Sequence, residues 1–384
     1  MLNRAFAPQS LDWALEQPPD ALAKAWSAAL PSGINGFRLH GSPLLLSAEL
    51  DRALRERGQQ LGRWLQQRAL LEGWRDMNVV CADLLLCEGE PWSLGWVEFQ
   101  AFTSVAAAMD WLHELALPLW PALENFDAHG AGLRPADWRR SYADWVRGPA
   151  GNGPIVVLEH QPWQQRTACD FYALQSRFGW PVHEPDALHL QGTRVGLHGE
   201  PLAGVLNRVV EPQYPLAGGA RWQQLCRSEG LHWHSPPWLY GEVSKRLLVD
   251  WHRDDPSQMI DAVSVQNWRE LGLPANALVA KPALGLGGQG VLMQPSAEEL
   301  DALSATEPAG SWLVQRRLRP LTFKENADGM PLQIEIRLML DCSAGQPIRL
   351  MNRLGRVSRW GRVANVAHLQ GVAGEGVALL LGSL

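Results

Sequence analysis

Residues 280–293 read AKPALGLGGQGVLM: a lysine and a proline, then four glycines in six residues (Gly285, Gly287, Gly288, Gly290), then a return to apolar side chains. Glycines this dense let a backbone approach phosphate oxygens closely and turn bare N–H groups toward them. The stretch is a candidate nucleotide cradle. Gly285, Gly287 and Gly290 satisfy GxGxxG, but the dinucleotide-binding turn needs a helix to open at the third glycine, where the pyrophosphate rests on the helix N-terminus. Here VLMQP follows, a short β-like run stopped by proline, and helix-forming residues begin only at SAEEL (296–300). A Walker A pattern fails as well, because no Lys-Ser or Lys-Thr follows the glycines. What remains is strand, glycine loop, strand: a hairpin whose tip closes over phosphates, with Lys281 on the incoming strand aiming a charge at them.

Composition bounds what such a loop can serve. The chain has 384 residues, 46% of them hydrophobic and 19% charged, a globular composition long enough for two or three packed units. A net charge of -6 with no long basic run argues against nucleic acid as a partner. No stretch approaches about 18 uninterrupted apolar residues, and the start lacks a basic segment followed by an apolar one. The expectation is a cytoplasmic protein without membrane contact. Cys81, Cys87, Cys169, Cys226 and Cys342 are scattered and form no CxxC, so buried free thiols are expected.

Outward from the loop, residues 47–73 carry Leu50, Leu54, Leu61 and Leu65 at helical spacing with a glycine stop, which predicts one amphipathic helix. NVVCADLLLCEGEPWSLGWVEFQ (78–100) holds two apolar runs joined by Glu88-Gly89-Glu90-Pro91, a β-hairpin. RGPAGNGP (147–154) marks a linker. Beyond it PIVVLEH, a helical stretch, WPVHEP and GVLNRVV alternate as a small open α/β layer. The expected organisation is a helical segment with the hairpin over 1–150, the α/β layer over 151–240, and the glycine-loop unit over 241–384.

Further stretches accompany the loop. VSKRLL sets Lys245 upstream of Lys281, and WLVQRRL, containing Gln315, reads as a strand beyond the loop. IEIRLML puts Glu335 and Arg337 on one strand face and Ile336, Leu338 and Leu340 on the other, as a site wall backed by a core would. NRLGRVSRWGRVAN carries Arg356 and Asn365. Together these stretches resemble the ATP-grasp superfamily, an α/β (α+β) fold. The resemblance implies that Lys245 and Lys281 meet phosphates, that the strand of Gln315 is the hinge beside the adenine, and that Gly285, Gly287, Gly288, Gly290 and Asn365 complete the ATP site. It implies Arg337, Glu335 and Arg356 as catalytic residues, with Arg337 meeting an acyl phosphate.

Two Mg²⁺ ions accompany ATP in that superfamily, held by Asp and Glu-x-Asn on neighbouring strands, usually beyond the arginine strand. Past Asn365 this chain offers only Glu375 as an acid. The hairpin at 78–100 offers Asp83 on one strand, with Glu98 and Gln100 on the other, and a turn near Glu90 and Pro91 sets Asp83 opposite Glu98. Glu98 lies among Trp96, Val97 and Phe99, where an acid needs a partner or a metal. Metal hairpin first and glycine loop second is the order of circularly permuted ATP-grasp proteins similar to glutathionylspermidine synthase. In two places the chain departs from them: Gln100 stands where Asn is usual, and Cys81 where an Arg precedes the metal Asp. The resemblance implies an ATP-dependent carboxylate–amine ligase acting on small-molecule or peptide carboxylates and amines. A phosphotransferase on the same fold and a non-catalytic nucleotide-binding protein are the alternatives. Arg208, ending a strand of the α/β layer, is a candidate wall of the substrate cleft.

Overall fold

The computed structural model describes the chain apart from residues 1–4, 8–11, 13–15, 19, 104, 193, 211–218, 229, 259, 286–287, 325–330 and 360–374. Its first half runs through helix α1 (Ala48–Glu72), strands β1 (Val79–Cys87) and β2 (Ser93–Gln100), helices α2 (Ala106–Ala116) and α3 (Pro135–Arg147), β3 (Ile155–Leu158), α4 (Ala168–Phe178) and β4 (Val182–His183). Then follow β5 (Gly204–Asn207), β6 (His232–His234), α5 (Leu247–Asp254), β7 (Ala262–Ser264), β8 (Leu278–Pro282), β9 (Leu292–Met293), α6 (Ala297–Thr306) and β10 (Trp312–Arg316). The chain closes with β11 (Pro331–Asp341), β12 (Arg349–Arg359), β13 (Gly376–Ala378) and β14 (Leu380–Ser383).

The result is a mixed α/β protein of several sheets. The largest has the order β13-β12-β11-β1-β2, with Phe323–Lys324 beside β11. Its centre is thus built from both ends of the chain: β1 pairs antiparallel with β11, and the register sets Asp83 against Arg337 and Leu85 against Glu335. Across β1 and β2, Asp83 stands opposite Glu98, with a bulge just beyond that pair. A bulge re-aims side chains locally, and here it falls within the candidate site.

One face of this sheet is aliphatic: Val80, Ala82, Leu84, Ile334, Ile336, Leu338 and Leu340 join one core with Leu50, Leu54, Leu61 and Leu65 of α1. α1 starts where its sequence says it should, with the Ser47 side chain accepting from Leu50 N–H, and stops at Gly73 in the left-handed region at φ 70°. Trp251 of α5 stacks on Trp64 and meets Trp96 and Phe99, so the aromatic residues of β2 tie the hairpin to this core.

The opposite face of the sheet meets the α/β layer. Val79, Cys81, Met339 and Met351 pack there against Ile155, Val157, Phe171 and Leu206. That layer is a four-stranded parallel sheet of order β6-β5-β3-β4. The glycine stretch lies in a second four-stranded sheet, β7-β10-β8-β9, where β8 and β9 form an antiparallel hairpin with Val279 against Met293 and Ala280 against Leu292. The helix does wait until after the loop: α6 carries a complete capping box between Ser296 and Glu299. No helix among the described residues is long and apolar enough to cross a membrane.

Candidate active site

Four strands bring the charged residues together. On β11, period-two alternation turns Glu335 and Arg337 to the same side. β12 adds Arg356 directly opposite Glu335, and β1 and β2 add Asp83, Glu98 and Gln100. Arg337 holds Asp83 in a two-armed ion pair, Nε to Oδ1 and Nη2 to Oδ2, both 2.6 Å. Its Nη2 also lies 3.3 Å from Glu98. In the amide orientation that satisfies its hydrogen bonds, the Gln100 carbonyl accepts from both terminal nitrogens of Arg337 at 2.9 and 3.1 Å. Arg356 bridges Asp83 and Glu335.

Asp83 is 1% exposed. Burial pushes its pKa up, but Arg337 and Arg356 outweigh this and hold the carboxyl well below its ordinary range. Burial likewise works against the Arg337 charge, and Asp83 more than restores it. Charge-assisted two-armed pairs of this kind fix geometry as well as charge.

The glycine sheet faces the same cluster. Lys281 on β8 is 7% exposed and donates to Val97 O at 3.0 Å and Gln315 Oε1 at 2.8 Å. Burial brings its pKa down to about 8, with Glu98 pulling the other way. Gln315 sits in β10 with strands on both sides, so its backbone lies inside the sheet. Its amide nitrogen donates to Trp96 O at 2.9 Å and Ile260 O at 3.2 Å. The side chain thus positions Lys281 and clamps β10 to the hairpin. Lys245 donates to Gly285 O at 2.6 Å and lies 3.3 Å from Glu98. Gly285 and Gly290, at φ 146° and 72°, occupy backbone conformations that favour glycine. Gly287 and Asn365 lie outside the described residues.

Asp83, Glu98 and Gln100 therefore present oxygen donors to one point, and the Arg337 guanidinium occupies it. Hard oxygen donors are what Mg²⁺ takes, so the donor chemistry fits a divalent cation once the guanidinium gives way. Among the described residues no group of three or more His, Cys, Asp and Glu side chains is disposed to hold a metal. Any ion here would rest on two carboxylates and an amide. A cleft of about 790 Å³ near Asn78, Trp145, His232 and Asp341 contains none of these residues.

Sequence reasoning alone missed two contributions. Val97 O, the acceptor for Lys281, carries no signal in its side chain. Glu159, just past β3, is 6% exposed, and its carboxyl is pushed by burial up to about 7 against the pull of Arg208. Its place immediately after the apolar run IVVL was the one available cue. Arg208 donates to Asp170 Oδ2 at 2.7 Å.

No family profile matches the sequence, and no curated protein matches it. Among solved structures, the chain is similar to a glutathione synthetase like-effector from Globodera pallida. The match has 13% identity and a TM-score of 0.55, covering 90% of this chain and 96% of that one. A candidate gamma-glutamylcysteine synthetase from Methylobacillus flagellatus matches at 11% identity over 83% of this chain and 84% of that one, with a TM-score of 0.42, too low to carry an argument. The shared property is the fold: this chain folds like a glutathione synthetase-like protein.

Proposed function

We propose that the protein is an ATP-dependent carboxylate–amine ligase of circularly permuted ATP-grasp organisation. The observation that carries this is Lys245, whose ammonium reaches both Gly285 O in the glycine hairpin and Glu98 in the N-terminal hairpin. Two stretches far apart in sequence, one suited to phosphates and one to a cation, meet at a single side chain. Lys245 and Lys281 would receive the ATP phosphates under the glycine loop. Asp83, Glu98 and Gln100 would hold Mg²⁺, which supplies charge neutralisation for the triphosphate. Arg337, released from Asp83, would meet the acyl phosphate formed when a substrate carboxylate takes the terminal phosphate of ATP. An amine then displaces phosphate, leaving an amide, ADP and phosphate. Positioning and electrostatics carry such a transfer, so no nucleophilic Ser, Cys or His is required.

The experiment is Mg²⁺-dependent ADP formation with pooled amino acids and small peptides, compared between the parent protein, Glu98→Gln and Asp83→Asn. Loss of either charge is expected to lower turnover by about 100-fold or more. Near-parental rates in both variants would remove the hairpin from the site. A stable phosphorylated product, in place of free phosphate and an amide, would mark a phosphotransferase.

A further inference from the structure

Away from the charged cluster, α3, β6 and the turn between β11 and β12 line the cleft of about 790 Å³, ample for a molecule of sugar size. Asp137, Ser141 and Asp144 recur at spacings of four and three, so one face of α3 forms a wall. Arg349, from β12, donates to Ser141 Oγ at 3.3 Å and with its other terminal nitrogen holds Asp341 at 2.7 Å. Asn78, also on the lining, is fixed from both ends of its amide: it donates to Trp233 O at 2.7 Å and accepts from Ser235 N–H at 3.1 Å. The walls are tied together by the fold, and the cleft is preformed. Asp341 lies four residues along β11 from Arg337, about 13 Å at the usual rise. The apolar pair of Cys81 and Met339 stands between the two.

The protein leaves polar atoms of three lining residues unmet. Trp145 is 6% exposed, and its indole N–H, which can only donate, has no acceptor. His232 has a buried Nε2 without a partner. Burial holds its imidazole below the ordinary pKa, against the pull of Asp76 and of a hydrogen bond to the Val146 backbone, so the ring is neutral at pH 7. That hydrogen bond falls to Nδ1, because Nε2 makes none, and a neutral ring protonated at Nδ1 leaves Nε2 as an acceptor. Among the lining charges Asp137 pairs with Arg140 and Asp341 with Arg349, which leaves Asp144 in excess.

A ligand that meets all three carries a cation for Asp144, a donor for His232 Nε2 and an acceptor for the Trp145 N–H. Hydroxyl groups supply the last two, since each both donates and accepts. An anion would meet the excess negative charge, a neutral sugar would leave it unanswered, and a bare alkylamine has no acceptor for the indole. We propose that this cleft binds a hydroxylated primary amine of sugar size, an amino sugar, with its ammonium at Asp144 and its hydroxyl groups at Trp145 and His232. The site stands apart from the ligase reaction, whose residues line no part of it.

Titration calorimetry on the full chain tests it, with glucosamine and galactosamine as probes beside glucose, N-acetylglucosamine and cyclohexylamine. At least one amino sugar is expected to bind. Glucose and N-acetylglucosamine, which lack the cation, and cyclohexylamine, which lacks the hydroxyls, are each expected to bind about tenfold more weakly or worse. Asp144 is exposed, so Asp144→Asn keeps the fold, and it is expected to erase the advantage of glucosamine over N-acetylglucosamine. Trp145→Phe deletes the N–H while keeping an aromatic ring, and is expected to weaken the amino sugar about tenfold. Glu98→Gln is expected to bind it as the parent does. Binding by neither amino sugar, a parental affinity in Asp144→Asn, or a loss in Glu98→Gln equal to that in Asp144→Asn overturns the proposal.

Discussion

Glu159 shows how much one buried carboxyl can weigh. Its ordinary pKa of 4.5 rises to about 7 in the fold, chiefly through burial. Below about pH 4.5 the group is protonated folded or unfolded, so its contribution to stability is complete. As the pH climbs to 7 the unfolded chain ionises first, and that contribution is lost through the folded pKa. Glu159→Gln lacks this decline. Relative to the parent, the variant is expected to gain roughly 3 kcal/mol between pH 4.5 and 8. Denaturant unfolding of both proteins at the two pH values checks it, and taking the difference between them cancels the ionisations that the two proteins share. A constant difference would mean that Glu159 is solvated. At the same scale Arg353 is a counterexample. It lies in the arginine-rich stretch that signals chemistry, yet it is fully buried and tied to Asp51, Asp127 O and Leu380 O. Its residue type could not separate the two roles, since a guanidinium serves a buried ion pair and a phosphate equally well.

Among the elements, α1 approaches the large sheet closely enough that its glycines matter. A Cβ at Gly58 would meet Leu340 at 2.9 Å, and one at Gly62 would meet Ile348 at 2.6 Å. Glycine is a poor helix former, so both positions trade helix propensity for helix–sheet contact. Gly62→Val is expected to destabilise the protein by about 1–3 kcal/mol through overpacking, with the helix itself retained. Equilibrium unfolding followed by circular dichroism measures this, and an unchanged midpoint would show that Ile348 yields freely. The hairpin β1–β2 and the hairpin β8–β9 were legible as elements because turn residues and apolar alternation lie within a few residues of each other. That Gln315 bonds Lys281 was not legible, because its partner lies on a neighbouring strand whose register no local rule sets.

At the level of the whole molecule, the largest sheet is closed by strands from both ends of the chain. β1 and β2 sit beside β11, while Leu44–Leu45 pairs parallel with β14. Fragments cut at residue 150 therefore leave β11 with an open edge and the Asp83–Arg337 pair divided. Neither 1–150 nor 151–384 is expected to fold alone, whereas mixing them should restore dispersed amide signals in NMR spectra. A 151–384 fragment that unfolds cooperatively without its partner would contradict this. The charge cluster gives the same lesson: Arg337 and Arg356 come from the C-terminal hairpin, and Asp83 and Glu98, which they meet, from the N-terminal one.

By itself the sequence determined the local structure: the capped helix at 47–73, the two hairpins, the strand–loop–strand form of the glycine stretch, and a charged face backed by aliphatics on 331–341. These follow from short-range sterics, capping and periodicity, which a window of residues contains. Only the tertiary structure decided that Asp83, Glu98 and Gln100 converge on Arg337, and that Lys245 joins the glycine loop to the hairpin. Each depends on strand order and register between distant segments, which are set by burying the shared apolar faces of the whole chain at once.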